Sequence, residues 1–305
     1  MPGGSKHSLL VVGSVAFDSI ETPNGSVADA LGGSATYFSY AASFFLAPRL
    51  VAPVGEDFPD EHRRMFANRG IDVAGLVTLP GQTFRWKGRY HQDMNTRDTL
   101  EVHLNVLGSF QPDLPESFRD STHIFLANSG PALQASVLEQ IRRPQLVLAD
   151  TMDLWIETER ANLLALLPRI DGLLINDSEA KLLTGDDNIV RAGKAVRRLG
   201  PKFVILKKGE HGAMLFTGDD VFVMPAYPTE EVIDPTGAGD TFAGGILGFL
   251  AADNHAAPGR LRDAMAYGTV LASLTVEGFG LDRLKRADRA EVDARVARYR
   301  AMLTF

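Results

Sequence analysis

A glycine-rich turn between two aspartates has the residue types needed to hold an anion beside a carboxylate. Residues 234–240 read Asp-Pro-Thr-Gly-Ala-Gly-Asp, and a run of small and aliphatic residues follows to residue 252. Gly237 and Gly239 allow a tight turn and leave the backbone amides accessible. If a helix begins here, its first N–H groups have no partner within the helix and carry partial positive charge. We therefore expect an anion to bind at this turn.

Asp240 lies in the first turn of the same predicted helix. A carboxylate beside amides that stabilise moving negative charge suits phosphoryl transfer, because the carboxylate can take the proton of an attacking hydroxyl. On this interpretation Asp240 is the general base. The anion hole is then formed by the amides of Gly237, Ala238 and Gly239. The competing interpretation is that Asp234 or Asp240 only caps a core helix, as aspartate often does.

The segments around this turn have the pattern of an α/β protein. Strand-like and helical segments alternate from residue 8 to 69 and from 122 to 206, which predicts a doubly wound, mostly parallel sheet with helices on both faces. Between them, consecutive strands without helices predict a small β-rich lid, at residues 76–79, 83–90 and 99–104. A first strand is expected at residues 8–15 and a helix at residues 155–167.

Composition limits the number of domains and the classes of partner. The chain has 305 residues, 45% of them apolar, which is enough for one large α/β domain or two small ones. We favour one domain over residues 1–305, with lid excursions at about 16–31 and 76–108, over a division near residue 110. A net charge of −7 without a basic block argues against nucleic-acid binding.

The remaining composition arguments concern disulfides, metals and membranes. The chain contains no cysteine, which excludes disulfides and thiolate metal sites, and its seven histidines show no metal-ligand spacing. The apolar runs are too short to cross a membrane, and the first seven residues are too short and polar for a secretory signal. We therefore expect a cytoplasmic protein without a membrane partner.

The heptapeptide at residues 234–240, with the small-residue helix after it, resembles the signature of the ribokinase-like (PfkB) carbohydrate and nucleoside kinases. The resemblance extends over nearly the whole chain. It implies a ribokinase-like fold, ATP and Mg²⁺ as cofactors, and a hydroxyl group as the phosphoryl acceptor. It also implies a role for Thr236 in the anion hole and places Ala272 near the adenine. Asp234 and Thr236 lie where relatives place a monovalent-cation loop, so such a cation is a further hypothesis.

Two other segments resemble nucleotide-binding elements of the same family. Residues 176–179 read Asn-Asp-Ser-Glu and resemble its Asn-x-x-Glu motif, although a helix cap alone would also explain them. The resemblance implies that Asn176 lies near the nucleotide phosphates. It also implies that Glu179 helps to hold Mg²⁺ largely through water, which fits the preference of Mg²⁺ for few carboxylates, waters and phosphate oxygens.

The second of these segments is residues 207–212, which read Lys-Lys-Gly-Glu-His-Gly. It resembles the family's strand–loop Gly-x-x-Gly element that borders the nucleotide. Gly209 and Gly212 match that pattern. A phosphate contact from Lys207 is a hypothesis, and the alternative is a lysine in solvent.

Asp18 and the pair Gly32-Gly33 look like the family's sugar-binding residues. Many relatives read Gly-Gly-x-x-x-Asn, with the Asn on the acceptor, whereas this chain has Tyr37 at that position. The difference permits a different acceptor. Asn128 follows an aliphatic strand, as does Asp150, and both are further candidates for the mouth of the site.

The predicted lid strand at residues 83–90 alternates aromatic and cationic side chains. Because the side chains of a strand alternate between two faces, either Phe84 and Trp86 or Arg85 faces the acceptor, but not both. We take Arg85 as a candidate substrate-binding residue. Ordinary lid packing or a homodimer contact through the lid is the alternative.

The leading hypothesis is an ATP- and Mg²⁺-dependent kinase that phosphorylates a small sugar or polyol. A nucleoside acceptor is the second choice, because Tyr37, Phe84 and Trp86 could stack on a base. A non-catalytic nucleotide or sugar sensor is a third, but such a sensor needs no Asp240. A dinucleotide-dependent oxidoreductase is weaker still, because no Gly-x-Gly-x-x-Gly begins at Gly13.

Overall fold

The computed structural model describes residues 7–253 and 258–304 of the chain. The strands are β1 (Leu9–Val12), β2 (Ala16–Thr22), β3 (Gly25–Gly32), β4 (Arg49–Val54), β5 (Asp72–Thr78), β6 (Phe84–Tyr90), β7 (Arg97–His103), β8 (His123–Leu126), β9 (Leu146–Asp150), β10 (Gly172–Asn176), β11 (Phe203–Lys207), β12 (Ala213–Thr217) and β13 (Asp220–Met224). The α-helices are α1 (Ser34–Ala42), α2 (Asp60–Asn68), α3 (Pro131–Gln140), α4 (Asp153–Thr158), α5 (Arg160–Leu166), α6 (Asp177–Thr184), α7 (Ile189–Arg198), α8 (Ala238–Asp253), α9 (Pro258–Thr275), α10 (Asp282–Arg286) and α11 (Arg289–Met302).

Nine strands form the main sheet in the order β13-β12-β11-β10-β9-β8-β1-β4-β5. Every pair from β11 to β5 is parallel, and β12 and β13 add an antiparallel edge. The parallel strands are aliphatic along their length because both faces of such a sheet are covered. This arrangement confirms the doubly wound, mostly parallel sheet expected from the sequence.

The two faces of the main sheet carry separate hydrophobic clusters. Along β1, Leu9 and Val11 belong to the cluster that packs on α1, α8 and α9, whereas Leu10 and Val12 belong to the cluster under α3, α5, α6 and α7. All four side chains are at most 1% exposed. The alternation along one strand therefore holds helices on both faces of the sheet.

Helix α8 approaches its neighbours closely because it contains glycines where they meet. A Cβ on Gly244 would overlap the Phe38 carbonyl oxygen of α1, and a Cβ on Gly245 would lie 2.8 Å from the Gly268 Cα of α9. Helices that are in contact through glycine can pack with little space between their backbones. The close packing fixes the start of α8, and with it the turn at residues 234–240, against α1.

The lid is a second sheet with the order β3-β2-β6-β7. Its hairpins β2–β3 and β6–β7 are antiparallel, and β2 pairs with β6 in parallel. Two sequence-based boundaries were wrong. The strand expected at residues 76–79 belongs to β5, which pairs with β4 in the main sheet. The first strand, expected at residues 8–15, ends at Val12, and Asp18 lies within lid strand β2.

Both errors have the same physical cause, because a short β-rich run does not reveal which sheet it joins. The helix expected at residues 155–167 is likewise divided at Glu159, whose φ of −125° and ψ of 30° are not helical, into α4 and α5. Among residues 7–253 and 258–304, no helix is both long enough and apolar enough to cross a bilayer.

Candidate active site

Polar side chains collect where three parallel strands of the main sheet end. Asp150 is the last residue of β9, Asn176 of β10 and Lys207 of β11. Asn176 and Lys207 lie directly opposite each other in the sheet register. Parallel strands end at a common edge, which is where α/β sheets bind ligands. The start of α8 faces this edge, because Asp240 interacts electrostatically with both Asp150 and Lys207.

The glycine turn leaves two amides without a protein acceptor. The N–H of Ala238 donates to the Pro235 carbonyl oxygen at 3.2 Å. The N–H groups of Gly237 and Gly239 make no hydrogen bond to any residue that the structure describes. Free amides at a helix N-terminus favour an anion. Of the three amides assigned to the anion hole, those of Gly237 and Gly239 have the required freedom.

Asp240 is half-buried in the first turn of α8. Burial raises its pKa to about 7, and the carboxylate of Asp150 adds to the rise. The cations of Lys207 and Arg97 oppose it. A carboxylate that titrates close to neutrality is well matched to general-base catalysis, because it is ionised at working pH and still binds a proton readily.

Lys207 is a largely buried cation between the carboxylates and the turn. Its Nζ lies 3.3 Å from Asp150 Oδ1 and 3.4 Å from the position that a Cβ on Gly239 would occupy. Although burial opposes it, the carboxylates of Asp150 and Glu179 raise the pKa of Lys207. Its side chain is 19% exposed, which is not a lysine in solvent. A lysine held in this way can balance the charge of a bound phosphate.

Asn176 and Glu179 form a capping box at the start of α6. Asn176 Oδ1 accepts the Glu179 amide at 2.7 Å, and Glu179 Oε2 accepts the Asn176 amide at 2.7 Å. The cap and the functional interpretation are compatible, because the box fixes the carboxylate next to Lys207. Burial is the main cause that raises the pKa of Glu179 to about 7, and Lys207 opposes the rise.

The donor set fits a magnesium ion that is held mainly by phosphates and water. Within the described ranges, no three or more His, Asp and Glu side chains are grouped so that they could hold a metal alone. One carboxylate, from Glu179, beside a cation and free amides is the arrangement expected for Mg²⁺ bound with a nucleotide. Such an ion would neutralise charge on the phosphates.

The predicted nucleotide loop follows β11. Gly209 and Gly212 have φ values of 54° and 83°, which favour glycine, and a Cβ on Gly212 would overlap the Met224 carbonyl oxygen. The Lys208 amide donates to the Gly212 oxygen at 2.8 Å and closes the loop. Ala272 lies on α9, half-buried.

Two residues of the turn, Asp234 and Thr236, form hydrogen bonds that fix its position. The Asp234 carboxylate, which is 1% exposed, accepts the amides of Thr236 at 2.9 Å and Gly280 at 3.4 Å. The Thr236 hydroxyl donates to the Tyr90 hydroxyl at 3.3 Å. The turn is therefore in contact with lid strand β6.

Asp18 and the glycine pair, the predicted acceptor-binding residues, lie together. A Cβ on Gly32 would overlap the Asp18 carboxylate, and Gly33 has a φ of 93° at the start of α1. Burial is the main cause that raises the pKa of Asp18 to about 7, the Gly33 amide opposes the rise, and the carboxylate of Asp240 adds to it. This interaction indicates that Asp18 of the lid and Asp240, the proposed base, lie in the same cleft.

Tyr37 lies beneath the turn and not at the surface of the cleft. It is 1% exposed, and a Cβ on Gly237 would overlap its ring. Its hydroxyl is buried without a hydrogen-bond partner among the described residues. Burial, and then the carboxylate of Asp18, raise the pKa of Tyr37 well above its usual value, so the hydroxyl is neutral and can donate.

Arg85 faces away from Asp18, and Asn128 is held by a tryptophan side chain. In the register of β2 and β6, Asp18 pairs with Trp86, so Arg85 belongs to the opposite face of the lid sheet. Arg85 forms ion pairs with Asp29 and, at 3.0 Å, with Asp57. Asn128 Oδ1 accepts the Trp155 indole N–H at 2.9 Å, which ties it to α4.

Sequence reasoning missed Tyr90 and Arg97 of the lid. They pair across the β6–β7 hairpin, and Tyr90 faces Thr236. The expected strand at residues 99–104 began after Arg97, so the pairing was not visible. The only available signal was the Asp93-Met94-Asn95 turn, whose Asp93 carboxylate accepts the amides of Asn95 and Thr96.

Several known proteins are similar to this chain. A profile described as "pfkB family carbohydrate kinase" matches residues 6–286. The chain is similar to the cytidine kinase of Thermococcus kodakarensis, with 29% identity over 78% of this chain and 87% of that protein. It is also similar to the inositol 3-kinase of Arabidopsis thaliana, with 24% identity over 89% of this chain and 74% of that protein.

A solved structure extends the likeness to the fold. The aminoimidazole riboside kinase from Salmonella enterica, complexed with aminoimidazole riboside and an ATP analogue, superposes with a TM-score of 0.78 at 20% identity. The match covers 95% of this chain and 100% of that one. It confirms the ribokinase-like fold.

Proposed function

The chain belongs to the pfkB family of carbohydrate kinases, and we propose that it transfers the γ-phosphoryl group of ATP to a hydroxyl of a small acceptor, with Asp240 as the general base. Kinases of this family use ATP with Mg²⁺. The observation that carries the residue roles is the juxtaposition of the free Gly237 and Gly239 amides with a carboxylate whose pKa is about 7. That combination supports proton removal beside a stabilised anion.

We assign the following roles in phosphoryl transfer to residues of the chain. Asp240 accepts the hydroxyl proton as the acceptor oxygen attacks phosphorus. The amides of Gly237 and Gly239 donate to the phosphoryl oxygens. Lys207 balances phosphate charge while Asp150 holds its ammonium group in place. Glu179 would help to hold a magnesium ion, which would supply further charge neutralisation on the phosphates.

For the acceptor, we infer a nucleoside. Trp86 pairs with Asp18 in the lid register, so its partly exposed indole lies on the same face of the lid as the carboxylate. Asp18 and the Gly33 amide suit ribose hydroxyls, and an aromatic face nearby suits a base. The cytidine kinase relative is named for a nucleoside. The sequence alone favoured a sugar or polyol, and the position of Trp86 supports ranking a nucleoside first.

A sugar or polyol acceptor is the second candidate. Asp18 binds hydroxyls equally well in either case, and a relative that aligns over 89% of the chain is named as an inositol kinase. A monovalent cation at Asp234 and Thr236, lid-mediated dimerisation and a cytoplasmic location stay predictions.

The test is ADP release from ATP and Mg²⁺ over a panel of nucleosides, sugars and polyols. Asp240→Asn should lower kcat by about 10²–10⁴-fold, the usual contribution of a general base, while ATP binding is retained. Asp187→Asn, the same change at an exposed aspartate between α6 and α7, is the matched control and should retain full activity. Turnover that survives in Asp240→Asn would contradict the assignment. Nucleotide binding without turnover of any acceptor would favour a sensor.

A further inference from the structure

The ammonium group of Lys207 lies against a buried carboxylate at the end of the main sheet. Its Nζ is 3.3 Å from Asp150 Oδ1 and 3.4 Å from Asp150 Oδ2, so it faces both oxygens of that group. The side chains of Lys207 and Asp150 are only 19% and 7% exposed. Water and salt therefore screen this pair less than they screen an ion pair at the surface.

Glu179 is a second carboxylate near the same ammonium group. Asn176, whose capping box holds Glu179, lies directly opposite Lys207 in the register of β10 and β11. Burial raises the pKa of Glu179 to about 7, and Lys207 has the largest effect of the charged groups that act on it, opposing the rise. Although burial opposes it, Asp150 and then Glu179 raise the pKa of Lys207. One lysine thus balances the charge of two buried carboxylates.

This position of Lys207 conflicts with a metal ion at Glu179. A divalent cation and an ammonium group beside the same carboxylates would repel each other, and little water lies between them to weaken the repulsion. The anion hole offers Lys207 another partner, because its Nζ is 3.4 Å from the position that a Cβ on Gly239 would occupy. A phosphate bound at the Gly239 amide is therefore within reach of the ammonium group.

We propose that Lys207 is an internal cation that neutralises the carboxylates of Asp150 and Glu179 in the nucleotide-free enzyme, so that magnesium binds only together with a nucleotide. The inference rests on the proposed function. When a nucleotide binds, its phosphates give Lys207 a new partner, and the two carboxylates are released to the metal ion. No covalent bond changes in this exchange, and the carboxylates keep a cationic partner throughout.

The exchange couples the binding of metal to the binding of nucleotide. One or two carboxylates with water are a usual protein contribution to a Mg²⁺ site, so Asp150 and Glu179 would attract the ion alone if no other cation competed. With Lys207 present, the nucleotide has to raise the affinity for the metal. The metal must then raise the affinity for the nucleotide by the same factor, because coupling between two binding sites is reciprocal.

The first experiment measures binding of Mn²⁺, which prefers the same oxygen ligands as Mg²⁺, to the nucleotide-free protein by calorimetry. Lys207→Met removes the charge and keeps a long side chain, and it should bind Mn²⁺ at least about tenfold more tightly than wild type. Lys202→Met is the matched control, because Lys202 precedes the same strand, pairs with Asp171 at 2.7 Å and is 78% exposed. It should bind Mn²⁺ as wild type does. Equal affinity in wild type and Lys207→Met would overturn the proposal.

A second substitution tests where the metal binds. Adding Asp150→Asn to Lys207→Met should remove most of the gain in Mn²⁺ affinity, because one of the two carboxylates is lost. A gain that persists in the double variant would place the metal elsewhere, and it would overturn the role assigned to Lys207.

Thermal unfolding gives an independent readout. Lys207→Met leaves two buried carboxylates without their cation, so its Tm should be lower than that of wild type. Mg²⁺ should restore part of this loss by binding the folded variant, and it should leave the Tm of wild type almost unchanged. A loss of Tm that Mg²⁺ does not restore would indicate a merely structural lysine and contradict the proposal. If Lys207→Met does not fold, Lys207→Gln decides, because its amide carries no charge and can still donate to Asp150.

The outcomes separate this inference from the proposed function. Wild type that phosphorylates an acceptor, with no gain in metal affinity in Lys207→Met, overturns the exchange and leaves the kinase assignment intact. Wild type that binds no adenine nucleotide overturns the proposed function, and the role of Lys207 with it.

Discussion

Three carboxylates of the cleft, Asp18, Glu179 and Asp240, have pKa values raised to about 7, and burial is the largest cause in each case. They retain partial charge because Lys207 opposes the rise at Glu179 and Asp240, and the Gly33 amide opposes it at Asp18. Groups with perturbed pKa values in a cleft are typical of functional sites. Here burial brings the pKa of Asp240, the proposed base, close to neutral pH.

The pKa of the single residue Asp240 predicts how activity depends on pH. Asp240 can accept a proton only when it is ionised, so kcat/KM should fall as pH decreases through about 7. A single essential base gives a fall of about tenfold per pH unit below its pKa. The measurement is kcat/KM for the acceptor from pH 5.5 to 9 at saturating ATP and Mg²⁺. A flat profile between pH 5.5 and 8 would contradict the assigned pKa or the assigned role.

Among the elements, α8 and the turn before it depend on contacts that glycine alone permits. Gly237 has a φ of 75°, and a Cβ there would overlap the ring of Tyr37. The aromatic ring therefore packs directly against the turn. Tyr37 thus places a large side chain directly under the turn.

We predict different effects of alanine at two glycines with left-handed backbones. Gly218, in the β12–β13 hairpin, has a φ of 57°, and no atom lies within 4 Å of the position that a Cβ would occupy, so Gly218→Ala should cost only the backbone strain of roughly 1–2 kcal/mol. Gly237→Ala adds overpacking against Tyr37, typically about 1–3 kcal/mol. Denaturant unfolding and kcat measure the difference. We expect Gly237→Ala to lose kcat and Gly218→Ala to keep it; equal behaviour would show that the ring does not restrict the turn.

For the molecule as a whole, the lid is braced against the main sheet through Arg85. The guanidinium pairs with Asp57, which follows β4, at 3.0 Å and lies 5.0 Å from the centre of the Phe17 ring. The Thr83 amide and hydroxyl also donate to Asp57, each at 2.7 Å. This cluster connects the lid to the loop that follows β4 of the main sheet.

We predict that Arg85 acts through Asp57 and not through the substrate. Arg85→Met and Asp57→Asn should each raise the acceptor KM, because a loosened lid closes less well. The double variant should be no worse than the more severe single variant, since contacting residues are not additive. The measurement is a double-mutant cycle on acceptor KM. Additive effects would instead indicate that Arg85 contacts the acceptor, as the sequence had suggested.

Local signals in the sequence were sufficient to select much of the candidate site. The turn at residues 234–240 and the Asn176–Glu179 motif were recognisable because phosphate chemistry requires particular residues at short spacing. Continuous aliphatic strands alternating with helices were likewise sufficient for the doubly wound sheet, because a buried parallel strand needs apolar side chains on both faces. These features depend on residues that are neighbours in the chain.

The tertiary structure alone decided which distant residues meet. The sheet joined by residues 72–78, the lid face that carries Trp86 and not Arg85, and the pairing of Arg97 with Tyr90 all depend on strand register. A shift of one residue in register moves every side chain of a strand to its other face, and local sequence does not encode the partner. The sequence by itself therefore determined the chemistry of the turn, and only the fold determined which lid side chains reach it.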